Sequence, residues 1–450
     1  MTKRFMSVAL ALALGLGTGA CGDFLTGPKL ADNPNRPTTA SNANLLVSAM
    51  TNLTFQQESH LVRTVCIWMQ QCGGTLRDYN TLSTYGVSDD EYFVEWSGTY
   101  IRGGLLDLRR IQTVALADGD PGFAGVAAVL EAWVVGMAAD AWGDIPYAQA
   151  VDSTVGEPTL ETQQAVYAAV QAKLDEAIQL LADPNAAATA PGDEDLVYGG
   201  DLSKWTELAY TLKARFHLHT AERLGTPAYQ AAFDAASNGI STRDNDYVPY
   251  HSTSSTETNL WHQFTNQWIG FLSAGKNLVD LLQGASDPRL SDYFGRNSVG
   301  AFVGAAPGED ASVNASPISA TRLAGDFAPP FVTFAENQLI LAETAWQLEG
   351  GGAAGNAAAQ PYVSAERAAL GLGALAVTGL ETIMTEKYIV LFQNFEVWND
   401  YKRTCLPALT PAPGAPFIPA RVTYPLSERN ANSSIPDGGP LTNWNDPNGC

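Results

Sequence analysis

The stretch Asp140-Ala141-Trp142-Gly143-Asp144-Ile145-Pro146-Tyr147 places two carboxylates beside two aromatic rings, the residue types a glycosidase uses to protonate a leaving group and attack a sugar. Their spacing favours another role. Asp140 and Asp144 stand four apart where an apolar helical run meets a Gly and then a Pro, so capping and packing account for them. The five histidines are His60, His217, His219, His251 and His262, and none makes a site. His217 and His219 are two apart and leave a helix in different directions, unlike the four-residue spacing of a zinc helix. There is no Gly-x-Ser-x-Gly elbow, phosphate loop or dinucleotide fingerprint. Asp118-Gly119-Asp120 and Asp193-Glu194-Asp195 could hold Ca²⁺, but they lack EF-hand spacing and read as solvated turns. No catalytic residue, cofactor or metal is expected.

Binding asks for less than catalysis. A neutral polar ligand such as a sugar needs flat apolar faces for its C–H surface and planar polar groups for its hydroxyls. Two segments supply both kinds. One runs from Arg77-Asp78-Tyr79-Asn80 through Tyr85 to Tyr92, and the other holds Tyr247, Tyr250, Asn259, Trp261, His262, Asn266 and Trp268. The candidate ligand contacts are Arg77, Tyr79, Tyr85, Tyr250, Trp261 and Trp268, with core packing of large loops as the competing account.

These residues need a scaffold, and apolar periodicity predicts a helical one. Helical patterns fit about 42–58, 60–71, 95–116, 122–141, 162–182, 203–223 and 227–237, then 271–283, 330–349, 363–371 and 380–401. Pro121 suits a helix start, as does Asp201 or Ser203. Small residues such as Gly136 and Ala139 suggest close helix crossings of the tetratricopeptide kind, although no regular period proves it. Long connections fall at about 73–94, 184–202, 238–270 and 284–329, and long loops on a rigid scaffold are where binding usually resides.

The ends and composition set the compartment. Lys3 and Arg4, an apolar run Val8–Leu14 and small residues up to Ala20-Cys21 read as an export signal over 1–20, with lipid attached to Cys21. Thr18 stands where Leu is commoner, and a plain secretory cut is the alternative. Residues 21–39 are rich in Pro, Asn, Asp and Gly and read as a tether, leaving 40–450 as one domain. With 46% apolar residues and ten Trp the body can bury a large core, and no later apolar run is expected to span a membrane. Loss of Lys3 and Arg4 takes the formal charge from −22 to −24, which argues against nucleic acid. Cys66, Cys72, Cys405 and Cys450 allow three disulfide pairings. Cys66 with Cys72 and Cys405 with Cys450 is the favoured one, being close in sequence and pinning a terminus respectively, with free buried thiols as the alternative.

Further short motifs recur in order. Gly200-Asp201-Leu202-Ser203-Lys204-Trp205 precedes Leu212-Lys213-Ala214-Arg215, and Ser286-Asp287-Pro288-Arg289-Leu290 follows. Then come Ala335-Glu336 with Leu341-Ala342-Glu343, and Glu386-Lys387-Tyr388 through Trp398-Asn399-Asp400-Tyr401-Lys402-Arg403. Ile418-Pro419-Ala420-Arg421, Tyr424-Pro425 and Glu428 close the series. Together with Asp140–Tyr147 they resemble a divergent branch of the SusD/RagB family over about 40–430. The resemblance implies an all-α fold of stacked tetratricopeptide-like hairpins with long irregular loops. It implies a structural role for Asp140–Tyr147, and a ligand face built by the two aromatic loop regions, where no family motif falls. It also implies a non-enzymatic surface lipoprotein of the outer membrane that hands a glycan, or a peptide, to a TonB-dependent transporter. An exported carbohydrate-active hydrolase and a purely protein-binding scaffold are the alternatives.

Overall fold

Among the described residues helix accounts for 54% and strand for 3%, which makes the fold all-α. The computed structural model describes residues 40–439 and 441–450. The expected signal 1–20, the lipid-bearing Cys21 and the tether 21–39 lie outside the described residues. Helices α1 (Asn42–Glu58) and α2 (His60–Trp68) lead into β1 (Cys72–Gly74), then α3 (Arg77–Ser83), α4 (Phe93–Tyr100), α5 (Leu105–Asp118), α6 (Pro121–Trp142) and α7 (Gln163–Leu181). After these come α8 (Leu202–Leu224), α9 (Thr226–Ala236), α10 (Leu260–Gln267), β2 (Leu272–Ala274), α11 (Lys276–Gly284) and α12 (Arg289–Tyr293). The last are α13 (Phe334–Leu348), α14 (Gly352–Ala369), α15 (Leu380–Val390), α16 (Glu396–Thr404) and α17 (Leu426–Ala431). Leu45–Cys450 form one compact unit.

Within that unit neighbours pack in chain order, α5 on α6, α6 on α7, α7 on α8 and α8 on α9. The stack then skips the long 238–330 insertion, and α9 packs on α13, which packs on α14. At its centre α6 is buried from Gly122 to Trp142. It is long and apolar enough to cross a membrane, contrary to the sequence expectation, and its all-round hydrophobicity reflects complete burial among other helices. Thr162 caps α7, Asp201 caps α8 and Thr333 caps α13 by accepting main-chain hydrogens of the first turn.

Four predicted helices differ from the structure. The run 95–116 is two helices, because the chain turns at Ile101–Gly104: Gly103 has φ +95°, and a Cβ there would lie 2.4 Å from the Ser48 carbonyl. The run 271–283 begins as β2, whose pairing with β1 in antiparallel register (Cys72 opposite Ala274) holds the backbone extended up to Ala274. Helix α14 starts at Gly352, well before residue 363, because its Ala-rich first half has little apolar periodicity and Pro361 lies inside it. The run 380–401 breaks between Val390 and Glu396, where Asn394 donates to the Pro330 and Phe331 carbonyls. Three stretches read as loop are short helices, α3, α10 and α12.

Candidate ligand-binding face

The two aromatic segments meet. Cys66 is joined to Cys72, which ties α2 to β1, and β1 pairs with β2. Thr75 continues the contact, donating from its amide to the Phe271 carbonyl (3.4 Å) and from its hydroxyl to the Gly270 carbonyl (3.2 Å). Gly74 is required here, since a Cβ would lie 2.2 Å from the Tyr79 carbonyl. This brings the start of α3 against the end of α10. The Tyr79 ring stacks on Phe264 (centroids 4.8 Å apart) and meets Phe271 edge-on at 5.8 Å, while Trp268 packs on Phe271 at 5.3 Å.

Polar groups hold that stack from behind. Arg63 donates from Nε to the Tyr79 hydroxyl (3.0 Å) and lays its guanidinium 4.5 Å from the Phe264 centroid. His60 reaches the same hydroxyl at 3.1 Å and bonds Glu91 at 2.7 Å, a contact that holds the Glu91 carboxyl down at about 2. Burial pushes the Tyr79 phenol above its ordinary value in spite of Arg63, so it stays neutral and rigid at physiological pH. Gln70, Arg77 and Tyr85 all carry positive φ, at 55°, 48° and 66°, a concentration of costly backbone in one segment.

The structure sorts the six candidates by exposure. Trp268 is 47% exposed, Tyr250 61%, and Arg77 also faces solvent, as does Ile269 at 82%. Tyr79 is buried and supports the exposed rings. Tyr85 is half-buried, accepts the Ala412 amide hydrogen at 3.0 Å and packs edge-on against Trp68. Trp261 stands apart: it is fully buried at the first turn of α10 and shows no ring face to a ligand as placed here. It is the one fully buried residue of this short amphipathic helix, whose end at Asn266 and Gln267 is exposed. Phe264 and Phe271 were missed: Phe264 sits in the polar run His262–Asn266 that the sequence reading did single out, whereas Phe271, between Gly270 and Leu272, has no such signal.

Asp140–Tyr147 lies elsewhere, buried but for the exposed Asp144. Asp144 accepts the Gln163 amide hydrogen (2.7 Å) at the start of α7, the Trp142 indole donates to the Thr423 carbonyl (3.2 Å), and the Tyr147 hydroxyl donates to Glu131 (2.9 Å). Asp140 sits 2.8 Å from Nδ1 of His219, whose Nε2 is 2.7 Å from Glu396. Their ligand atoms lie within 4.8 Å of one another, so these three could hold a metal ion by distance, a grouping the sequence reading did not anticipate. Electrostatics argues against it. Burial alone would strip His219 of its proton, but Asp140 and Glu396 hold its pKa up at about 9, and Arg215 faces the same carboxylates. The motif residues continue this network: Arg215 pairs with Glu336 (2.6 Å), Arg403 with Glu343 and with Asp400 (2.6 Å), and Lys387 with Asp400 (2.9 Å). Arg289 bridges Asp287 (2.7 Å) and Glu386 (2.8 Å) in the same manner. Asp195 accepts the Trp205 indole hydrogen (2.7 Å) and is structural, not a solvated turn. A second bond joins Cys405 to Cys450.

The structure is thus a stack of helical hairpins that carries a loop-built aromatic face, with its motif residues paired in the core. The family model described as "Starch-binding associating with outer membrane" matches residues 34–425, and the chain belongs to this SusD-like family. Among solved structures it is similar to a "chitin-binding protein" (22% identity, 91% of this chain and 100% of that one, TM-score 0.76). A SusD/RagB family protein from Bacteroides thetaiotaomicron is also similar (22%, 88% and 95%, 0.72), as is a chitin-binding SusD homologue from Flavobacterium johnsoniae (19%, 90% and 97%, 0.72). No curated protein sequence matches the chain.

Proposed function

We propose that the protein is a non-enzymatic, lipid-anchored receptor of the outer-membrane surface that captures a glycan and passes it to a TonB-dependent transporter. The observation that carries this reading is the Tyr79–Phe264–Phe271–Trp268 stack, which turns a half-exposed indole toward solvent on a backbone locked by a disulfide, with Arg77 exposed at the start of α3. Stacking on the apolar face of a sugar ring plus a nearby planar donor is what a neutral saccharide requires. Family membership and the chitin-binding names of two structural relatives point to the same ligand class. Lipid on Cys21 and the tether 21–39 would keep this face at the membrane. Trp268, Tyr250 and Arg77 are the proposed contacts, with Tyr79 and Tyr85 as their supports.

A glycan array on the purified chain tests this, combined with an assay for released reducing sugar. Binding of neutral oligosaccharides without product is the expected result. Steady hydrolysis abolished by one Asp or Glu change would make the protein a hydrolase instead.

A further inference from the structure

Away from the aromatic stack, a cleft of about 600 Å³ opens between the 243–248 segment, the 322–335 segment and Leu391–Asn394. Its size falls within the range of small-molecule sites. The polar groups in its lining are pre-positioned and have unused capacity. The Arg322 guanidinium lies 4.5 Å from the Tyr293 ring centroid and 5.1 Å from that of Phe327. It donates from Nε (3.2 Å) and Nη2 (2.7 Å) to one oxygen of Asp292, and its Nη1 has no protein partner among the described residues. Asp246 spends one oxygen on the Phe334 amide (2.6 Å), and Asp244 engages Lys204 through its main-chain carbonyl (2.8 Å). Free carboxylate oxygens on Asp244, Asp246 and Asp292 thus stand as acceptors beside the donors of Arg243 and Arg322. Val248 and Phe327 supply an apolar wall.

The lining resembles the aromatic face in kind, combining a ring surface with planar hydrogen-bonding groups. It differs in charge: Asp244 and Asp292 balance Arg243 and Arg322, and Asp246, whose carboxyl burial pushes up to about 7, adds a third negative charge above that pH, which then disfavours a polyanion. The two places also share a seam. Asn259 donates to the Phe327 carbonyl (2.7 Å), and His262 bonds the Leu323 carbonyl (2.8 Å), so the cleft wall is fastened to the first turn of α10, the helix that Trp268 follows.

We propose that this cleft is a second saccharide subsite that accepts uncharged or amino-sugar units and rejects uronate or sulfated ones. The proposal rests on the glycan-binding reading above. Calorimetric titration of the purified full chain with neutral hexasaccharides of glucose, xylose and N-acetylglucosamine, and with hexagalacturonate, tests it in four proteins: wild type, Phe327→Ala, Val248→Trp and Trp268→Ala. Val248 is partly exposed, so the tryptophan occupies the cleft without entering the core, and melting temperatures check folding in every variant. Either cleft variant binding the preferred neutral hexasaccharide roughly 5- to 10-fold more weakly at unchanged melting temperature supports the subsite, as expected for loss of one ring contact or of its space. Wild-type binding that neither cleft variant weakens overturns the subsite and leaves the glycan reading intact. Hexagalacturonate binding better than the neutral sugars overturns the stated specificity. A wild type that binds none of the four removes both the subsite and the reading beneath it.

Discussion

The buried ion network and the aromatic face are built by opposite rules. Around Asp140, every charge is matched inside the protein: Asp140, Glu336, Glu343, Glu396 and Asp400 face Arg215, His219, Lys387, Lys402 and Arg403, and all ten residues are buried. Lys402 is the one whose amine meets a main-chain carbonyl, that of Asp140 (2.7 Å), and lies 4.2 Å from the Trp398 ring centroid. At the aromatic face the partners sit behind the rings and the outer surface is left open. A closed network specifies which helices meet and in what register, whereas an open face leaves interaction capacity for something outside the chain. That difference explains why the recurrent motifs fall in the first region and the candidate contacts in the second.

Removing one partner from the closed network should have the largest effect. Glu343→Gln leaves the fully buried Arg403 guanidinium without its bidentate carboxylate, and should lower unfolding free energy by about 3–5 kcal/mol in denaturant titration. A loss below about 1 kcal/mol would mean that the network is not what holds the helices together.

His219 makes the network pH-sensitive. Its folded pKa, about 9, lies above the unfolded value, so its contribution is fully present below about pH 6.5 and is lost as pH rises toward 9. Lys402 acts in the opposite sense: burial drives it down to about 8, so its effect on stability turns upward only above that pH. Melting temperature should therefore fall between pH 6.5 and 8, where Asp246 and Glu366, both raised by burial, add to the same slope, so His219→Gln should be less stable at pH 6.5 by about 3 kcal/mol and keep only the shallower slope of those two carboxyls. An equal slope in wild type and variant would assign the pH dependence to other groups.

The open face should show the reverse pattern. Trp268→Ala should weaken glycan binding by about 1 kcal/mol, roughly fivefold in Kd, with little change in melting temperature. Smaller still, Arg77→Ala should cost about 0.5 kcal/mol, roughly twofold in Kd, since a solvent-exposed donor exchanges one hydrogen bond for another with water. Matched losses of stability and affinity in both variants would erase the distinction between the two regions.

Much of the scaffold was legible because it follows from local rules. The cap at Asp201, the proline start of α6 and the glycine stop after Trp142 are each written within a few residues. Breaks set from a distance were not, as with the turn at Gly103 against Ser48 and the pairing of β2 with residues two hundred positions earlier. The aromatic face was half legible. Trp268 and Trp261 look alike in sequence, seven residues apart and each between one apolar and one polar neighbour, yet one is half exposed and the other wholly buried.

By itself the sequence determined an acidic, helix-rich chain, several of its helix starts and stops and the identity of the residues able to stack or bear charge, because composition, capping and periodicity act over a turn or two. Only the tertiary structure decided which carboxylate meets which cation, that His219 joins Asp140 and Glu396 across three helices, and which tryptophan faces water. Those outcomes depend on contacts between segments far apart in the chain, where burial and partnership are settled by packing and not by neighbours in sequence.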